Sequence, residues 1–225
     1  MIHESYYWRR ELIKISKSIK KRIQFNKEWN DAKYAKFEKE IMFGFYIVRK
    51  LLEANKLTSD FSSLKLECKV YPSNGKQITI MNNHLFDENY DLENSKTEKR
   101  ELRFFINQFV HSYIFLPIIS VVDKEVESKM DDDNLTEDEI IEIYENAAKE
   151  LSGVFFNSDS NKNESLFEIH IDTIRKLFKK VGKCNVTRIE IKYTERKKDF
   201  VSVRFAGEQK ISEETEELIK KMEKE

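Results

Sequence analysis

Glycine and proline are scarce in this chain, and their scarcity narrows the choice of fold more than any other feature. Only 5 Gly and 2 Pro occur among the 225 residues. A β-sandwich or barrel needs a turn every few residues, so this shortage favours long helices over a turn-rich all-β fold. Hydrophobic residues make up 40% of the chain, which is enough for a core and too much for a disordered protein.

Two long amphipathic helices are predicted at the start of the chain. In the first, over about residues 4–25, apolar side chains recur every three or four positions from Trp8 to Ile23. The second covers about residues 31–55, and Asp31 is its predicted N-cap. Residues 41–52 are almost continuously apolar, so we expect this helix to be buried on more than one side.

A β-hairpin and a third long helix are predicted next. The segment LKLECKVY alternates apolar and polar residues, PSNG turns the chain, and KQITIM returns, which places the hairpin at residues 64–81. Ser95 and Glu98 fit a capping box that opens a helix. Pro117 cannot continue a helix, so the third helix is expected to span Ser95–Pro117.

The last hundred residues mix helices with alternating strands. A strongly charged connection leads to a helix that a Thr136–Glu139 capping box opens and that extends to about Leu151. GVFF and SLFEIHI predict a hairpin, and a helix is expected between Asp172 as N-cap and Gly182 as the residue after its end. VTRIEIKY and FVSVRF predict two more strands, followed by a charged helix from residue 212.

Together these elements predict an α+β protein in two units. Residues 1–122 are expected to form an N-terminal helical bundle with a β-hairpin insertion at 64–81. Residues 123–225 are expected to contain an acidic linker, a helix and a small mixed antiparallel α+β domain at the C-terminus.

Charge and cysteine usage limit the classes of function. The formal net charge is −1, so the chain as a whole has no electrostatic reason to bind nucleic acid tightly, although a local basic patch remains open. Cys68 and Cys184 are far apart and form no CxxC pattern, which excludes a structural zinc site and predicts free thiols. No apolar run approaches ~18 residues and the N-terminus is charged, so a cytoplasmic protein without membrane contact is expected. No cofactor-binding motif is present, and none is predicted.

Three polar residues in the predicted third helix are the candidate site. Arg103, Asn107 and His111 follow one another at i, i+4 spacing, so they form one polar line on an apolar helix. A histidine can exchange a proton with a ribose hydroxyl, arginine can hold a phosphate, and asparagine can fix the geometry between them. The same trio is also what a buried structural network would look like, because interior polar groups need partners.

The segment from Asn107 to His111 resembles a motif of the HEPN family, helical bundles that include many prokaryotic ribonuclease toxins and defence proteins. Asn107 and His111 correspond to the asparagine and histidine of the Arg-Asn-x-x-x-His form of the family motif. The segment FYIVRKLLEA in the second predicted helix also resembles sequences of that family. Ile106 stands where that motif has arginine, and Arg103 is the arginine nearest to the histidine on the same helix face. The resemblance covers about the first 120 residues. It implies a metal-independent ribonuclease or RNA-binding module that dimerises so that two motifs converge.

A metal-dependent nuclease is a third possibility. Glu190 and Lys192 share one face of a predicted strand, and with an upstream aspartate, Asp159 or Asp172, they loosely resemble the PD-(D/E)xK arrangement. Glu67-Cys-Lys69 offers the same tripeptide on another strand, and a solvated strand face explains both.

The sequence therefore leaves three hypotheses for the function of this protein. The first is a HEPN-like protein that binds or cleaves RNA in a prokaryotic defence or toxin setting, with His111, Asn107 and Arg103 as its site. The second is a non-catalytic interaction or regulatory module, either a homodimer or the partner of another protein. The metal-dependent nuclease is the third.

Overall fold

The structure is a computed structural model that describes residues 2–25, 29–130, 132, 134–194 and 199–206. Its helices are α1 (Ser5–Arg22), α2 (Asp31–Glu53), α3 (Phe86–Asn89), α4 (Leu102–Val110), α5 (Lys124–Met130), α6 (Glu137–Asn146) and α7 (Ile171–Lys183), with a short 3-10 turn at Ser59–Ser62. Its strands are β1 (Gln24–Phe25), β2 (Lys65–Pro72), β3 (Lys96–Glu101), β4 (Ser112–Val121), β5 (Lys149–Ser158), β6 (Ser165–His170), β7 (Arg188–Thr194) and β8 (Asp199–Phe205). The predicted α+β class is confirmed.

The main sheet is antiparallel and is built around β5. This strand pairs with β1, β4 and β6, and the sheet continues from β6 to β2 and then to β3. β7 and β8 form a separate two-stranded sheet. The predicted division into units 1–122 and 123–225 does not describe this main sheet, because β2 and β4 lie before the boundary and pair with β6 and β5 beyond it. Strands from beyond the boundary thus satisfy backbone groups of β4 and of one edge of β2.

The predicted third helix over Ser95–Pro117 is wrong except at its centre. Lys96–Glu101 is strand β3, only Leu102–Val110 is helical, and Ser112–Val121 is strand β4. The pairs Lys65↔Glu101 and Glu67↔Lys99 place opposite charges across the β2–β3 ladder, which a helical pattern search cannot detect. β4 pairs only with β5 among the described strands, so Pro117 occupies an edge strand, where a missing N–H is tolerated.

The predicted hairpin at 64–81 is half right. Its first strand is β2, and Gly75 turns the chain with a φ of 79°, but residues 76–81 form no strand. The partners of β2 are β3 and β6 instead. Ile78 is buried in a small second core, while Ile80 and Met81 point to solvent with about 80% of their surface exposed. The apolar–polar alternation of residues 76–81 therefore belongs to a loop that is anchored in the core only through Ile78.

Helix boundaries follow local capping chemistry. The Thr136–Glu139 capping box is confirmed, although α6 ends before residue 151. At α2 the cap is Asn30, one residue earlier than predicted, and its side chain accepts a hydrogen bond from the Lys33 amide. At α7 the cap is His170, while Asp172 lies in the first turn. The predicted β5–β6 and β7–β8 pairs are both present. The helix expected from residue 212 lies outside the described residues.

Aromatic rings join the helices to one face of the main sheet. Phe45 of α2 stacks on Phe109 of α4 with 4.1 Å between ring centroids and meets Phe178 of α7 edge-on at 5.2 Å. Phe109 in turn stacks on Phe156 of β5 at 4.5 Å. All four rings are fully buried. This stack positions α2, α4 and α7 relative to the sheet, and offset or edge-on aromatic pairs add about 0.5–1.5 kcal/mol each beyond their burial.

Candidate functional site

The trio Arg103, Asn107 and His111 lies on the solvent side of α4. All three residues are exposed, opposite the buried face that contains Phe105 and Phe109. The helix ends at Val110 and His111 is its C-cap, but the His111 amide still donates to the Asn107 carbonyl at 3.0 Å, so the polar line is preserved. Within the described part of the chain, none of the three side chains forms a hydrogen bond or ion pair. The structure thus places the trio in contact with water and leaves its polar atoms available.

The buried polar network of this region is centred on Gln108, which the sequence analysis did not single out. Its Nε2 donates to Asn161 Oδ1 at 2.8 Å, and its Oε1 accepts from the Ser158 amide at 2.8 Å. Both Gln108 and Ser158 are almost fully buried. The amide therefore fastens the β5–β6 loop onto α4, which is the structural role considered above for the trio.

The β5–β6 loop also reaches the position where α4 ends. The Asp159 amide donates to the His111 carbonyl at 3.4 Å, and the Asp159 carboxylate pairs with Lys162 Nζ at 2.7 Å. Lys162 Nζ lies 4.0 Å from the centroid of the Tyr113 ring. The hydrogen bond from Lys162 raises its own pKa, because Asp159 stabilises the charged ammonium. One carboxylate and one ammonium thus lie on the loop that contacts His111.

The acidic residues proposed for a metal-dependent nuclease form ion pairs with different neighbours and do not converge on one site. Asp172 pairs with Arg175 and Lys176, Asp159 pairs with Lys162, and Glu190 pairs with Arg188 on the two-stranded sheet. Across the described ranges, no group of three His, Cys, Asp or Glu residues is placed to hold a metal ion. The two cysteines are free and buried. Nor does any described helix combine the length and the apolar surface needed to cross a membrane.

The outer surface of α1 is strongly basic. This helix contains seven basic residues and one acidic residue. Leu12, Ile15 and Ile19 turn toward the core, so the residues on the opposite side face solvent. Four cations, at positions 10, 14, 17 and 21, lie along that exposed side. Of these four, only Lys14 is paired, with Glu11 at 2.7 Å. The four cations of this stripe are Arg10, Lys14, Lys17 and Lys21.

Helix α7 extends the same surface. It contains five basic residues and one acidic residue, and its buried side holds Ile174, Leu177 and Val181. Lys179 and Lys183 are exposed on the other side and form no ion pair with a described residue. We define the basic face as the five exposed cations of the two helices that are unpaired within the described chain and follow these outer stripes: Arg10, Lys17, Lys21, Lys179 and Lys183.

The two helices are held close together by specific contacts. The Arg9 guanidinium donates to the Cys184 carbonyl near one end, and Ser16 Oγ donates to the Arg175 carbonyl at 3.0 Å further along, so the helices run antiparallel. At Gly182 a Cβ would come within 2.9 Å of the Arg9 carbonyl oxygen. Glycine therefore permits the close approach that merges two basic stripes into one surface.

This concentration of charge is unusual for a chain with a net charge of −1. Because α1 and α7 are strongly basic, the remainder of the chain is correspondingly acidic. Exposed like charges on neighbouring helices repel one another and are not required by the fold. A polyanion that lies along both helices would neutralise them and release counterions. Phosphate-rich polymers match this arrangement.

Exposed aromatic rings border the basic face at the start of α1. Tyr6 and Tyr7 are 52% and 68% exposed, and their rings meet edge-on with centroids 5.4 Å apart. On the helix they precede Arg10 by one turn, on the same outer side. Aromatic rings beside cations provide a stacking surface for unpaired bases.

Comparisons with protein-family models, with curated proteins and with solved structures find no match to this chain.

Proposed function

We propose that this protein binds single-stranded RNA along the basic face of α1 and α7. The observation that carries the proposal is the antiparallel packing of two strongly basic helices in a chain of nearly zero net charge. Such a surface contacts phosphates and supplies affinity without sequence preference. Unpaired bases can stack on exposed Tyr6 and Tyr7, which favours a single strand over a duplex.

The proposal is tested by neutralising four lysines of the basic face together: Lys17→Gln, Lys21→Gln, Lys179→Gln and Lys183→Gln. Binding of a fluorescently labelled U20 RNA is followed by anisotropy at several salt concentrations. The wild type should show a steep decrease of affinity with salt, and the variant should lose about 3 units of the log–log slope, since each phosphate contact contributes ~0.7 for a single strand.

A matched control has the same charge change elsewhere. Lys96, Lys99, Lys124 and Lys129 are exposed lysines on β3 and α5, and their replacement by Gln should leave RNA affinity near that of the wild type. Equal losses in the two quadruple variants would show that only net charge matters and would reject the basic face. Tighter binding to a DNA duplex than to U20 would reject the single-stranded preference.

RNA cleavage at the α4 trio is a second candidate function. The observation that favours it is that Arg103, Asn107 and His111 are exposed in one line, with no described side-chain partner that would occupy them. Neighbours in this line lie about 5–6 Å apart at Cβ, and Arg103 and His111 lie about 12 Å apart along the helix. An RNA strand that lies along the line can therefore contact the guanidinium and the imidazole at neighbouring nucleotides. The likeness of Asn107–His111 to the HEPN motif supports the same chemistry and implies that two copies of the chain converge.

Cleavage is tested on total RNA in the presence of EDTA. On this proposal wild-type protein cleaves RNA without added metal, and His111→Ala loses the activity by about 10²–10⁴-fold, which is the usual contribution of a general acid or base. His84→Ala is the matched control, because that histidine lies in the loop between β2 and α3. Intact RNA with the wild type, or equal cleavage by both variants, rejects this second function and leaves the RNA-binding proposal standing.

A further inference from the structure

A pocket lies between the start of α1 and the end of α2. It has a volume of about 300 Å³, and its lining includes Trp8, Tyr46, Lys50 and Glu53. The rings of Trp8 and Tyr46 are 6.3 Å apart at their centroids and inclined by 42°, so they form two aromatic walls. Phe43 stacks beside Tyr46 at 6.4 Å and is itself 46% exposed. A flat ring of the size of a nucleobase fits such a space.

One edge of the pocket presents a donor next to an acceptor. Glu53 Oε2 accepts from Lys50 Nζ at 3.1 Å, and Glu53 Oε1 accepts from Arg49 Nε at 2.7 Å. The hydrogen bonds from Arg49 and then Lys50 hold the pKa of Glu53 below its usual value, so the carboxylate stays ionised. A carboxylate offers about four acceptor sites and an ammonium three donors, so both groups keep capacity for a ligand.

The stability of the fold does not require an acidic residue at position 53. Glu53 is the last residue of α2, where the negative end of the helix dipole disfavours a carboxylate. Arg49 and Lys50 offset that cost by pairing with it. The side chains of all three remain at least a third exposed, so the cluster contributes little to stability and is free to contact a solute.

We propose that this pocket holds one guanine base of the bound RNA, an inference that rests on the proposed RNA-binding function. Among the four bases, only guanine presents two neighbouring donors, N1–H and N2–H, beside one acceptor, O6, on its Watson–Crick edge. Lys50 donates to O6, the Glu53 carboxylate accepts from the two N–H groups, and the base lies against Tyr46 or Trp8. Trp8 and Arg10 are two residues apart on α1 and point to opposite sides of the helix. A strand on the basic face therefore reaches this pocket by passing around the start of α1, past the exposed rings of Tyr6 and Tyr7.

The experiment uses Trp8 as the reporter. The chain has two tryptophans, so Trp29→Phe leaves Trp8 as the only one. Its fluorescence is titrated with three octamers of uridine that carry a single central guanosine, adenosine or inosine. The guanosine octamer should bind at least about tenfold more tightly than the adenosine octamer, as expected of a bidentate contact, and inosine, which lacks N2–H, should fall between them.

Two variants separate the edge contacts from the stacking. Glu53→Gln should abolish the preference for guanosine over adenosine, whereas Glu38→Gln, at an exposed carboxylate of α2 outside the pocket, should leave both that preference and the binding of plain U8 unchanged. Tyr46→Leu should weaken all three central-base octamers, whereas Tyr144→Leu, an exposed tyrosine of α6, should weaken none. Thermal unfolding of each variant confirms that it is folded before titration.

The outcomes distinguish this inference from the function on which it rests. Equal affinity for the guanosine and adenosine octamers in the wild-type background rejects the guanine pocket, and so does a preference that survives Glu53→Gln. If U8 itself fails to bind, or binds without dependence on the basic face, the RNA-binding proposal fails first. Salt-dependent U8 binding with no base preference removes the pocket alone.

Discussion

At the scale of single residues, two neighbours on α4 show how the same chemical group serves different purposes. Asn107 is exposed and has no described side-chain partner, whereas Gln108 is buried and satisfied at both ends of its amide. The sequence indicates Asn107 as a site residue because it lies in line with Arg103 and His111. It does not indicate Gln108, because its partners Ser158 and Asn161 are some fifty positions away and only the folded chain brings them close.

Gln108→Leu is therefore expected to destabilise the protein by about 1–3 kcal/mol, since it leaves the buried Ser158 amide without an acceptor. Urea unfolding measures the loss. Asn107→Ala, one residue away on the exposed side, is the matched control and should change the free energy of unfolding by less than about 0.5 kcal/mol. Equal stability of the two variants would mean that the buried network contributes nothing.

At the scale of elements, the sequence predicted what is local and missed what depends on distant pairing. The stripes of α1 and α2, the capping box of α6 and the β5–β6 hairpin depend on neighbours within a few residues, and they were predicted. Strand β3 was not, because KTEKRE has no alternation of apolar residues and is a strand only beside β2. The same limit applied to the basic face, since α1 and α7 are about 150 residues apart in the sequence.

Gly182→Ala tests whether the close packing of α1 on α7 matters. Alanine gains about 1 kcal/mol of helix propensity over glycine, but its Cβ would lie 2.9 Å from the Arg9 carbonyl and 2.8 Å from Ile13. Overpacking typically costs about 1–3 kcal/mol, so we expect a net loss of about 1 kcal/mol and weaker binding of U20. Lys180→Ala, exposed on the same helix, controls for α7 stability. A gain in stability on Gly182→Ala would show that the helices separate freely.

The ionisation of Asp172, in the first turn of α7, makes the stability of the protein depend on pH. Hydrogen bonds from Arg175, and then from Lys176, lower the pKa of Asp172 from 3.8 to about 2. A lowered folded-state pKa stabilises the fold above the unfolded value, and that stabilisation is lost as the pH falls from about 4 through about 2. Asp172→Asn should thus cost about 1–2 kcal/mol at pH 6 and progressively less toward pH 2, as followed by urea unfolding across this range. A cost that stays constant between pH 6 and pH 2 would show that the pairing of Asp172 makes no pH-dependent contribution to stability.

At the scale of the whole molecule, charge is separated rather than mixed. The chain contains 40 basic and 41 acidic residues, yet two packed helices hold a large positive excess on one surface. Composition reports only the sum, which is why the net charge of −1 gave no reason to expect a polyanion ligand. Unpaired cations on adjacent helices store repulsion that a bound polyanion relieves, so the free protein is expected to carry an electrostatic cost.

That cost predicts a dependence of stability on salt. Between about 20 and 500 mM NaCl the Debye length falls from tens of ångströms to a few, which screens repulsion across the basic face. Wild-type protein should therefore become more stable as salt rises, while the variant with Gln at positions 17, 21, 179 and 183 should start more stable and respond less. Urea unfolding at each salt concentration measures both. A wild type destabilised by salt would indicate that attraction from the acidic remainder of the chain outweighs repulsion within the basic face. The basic face would then be a balanced structural surface with no electrostatic reason to bind RNA.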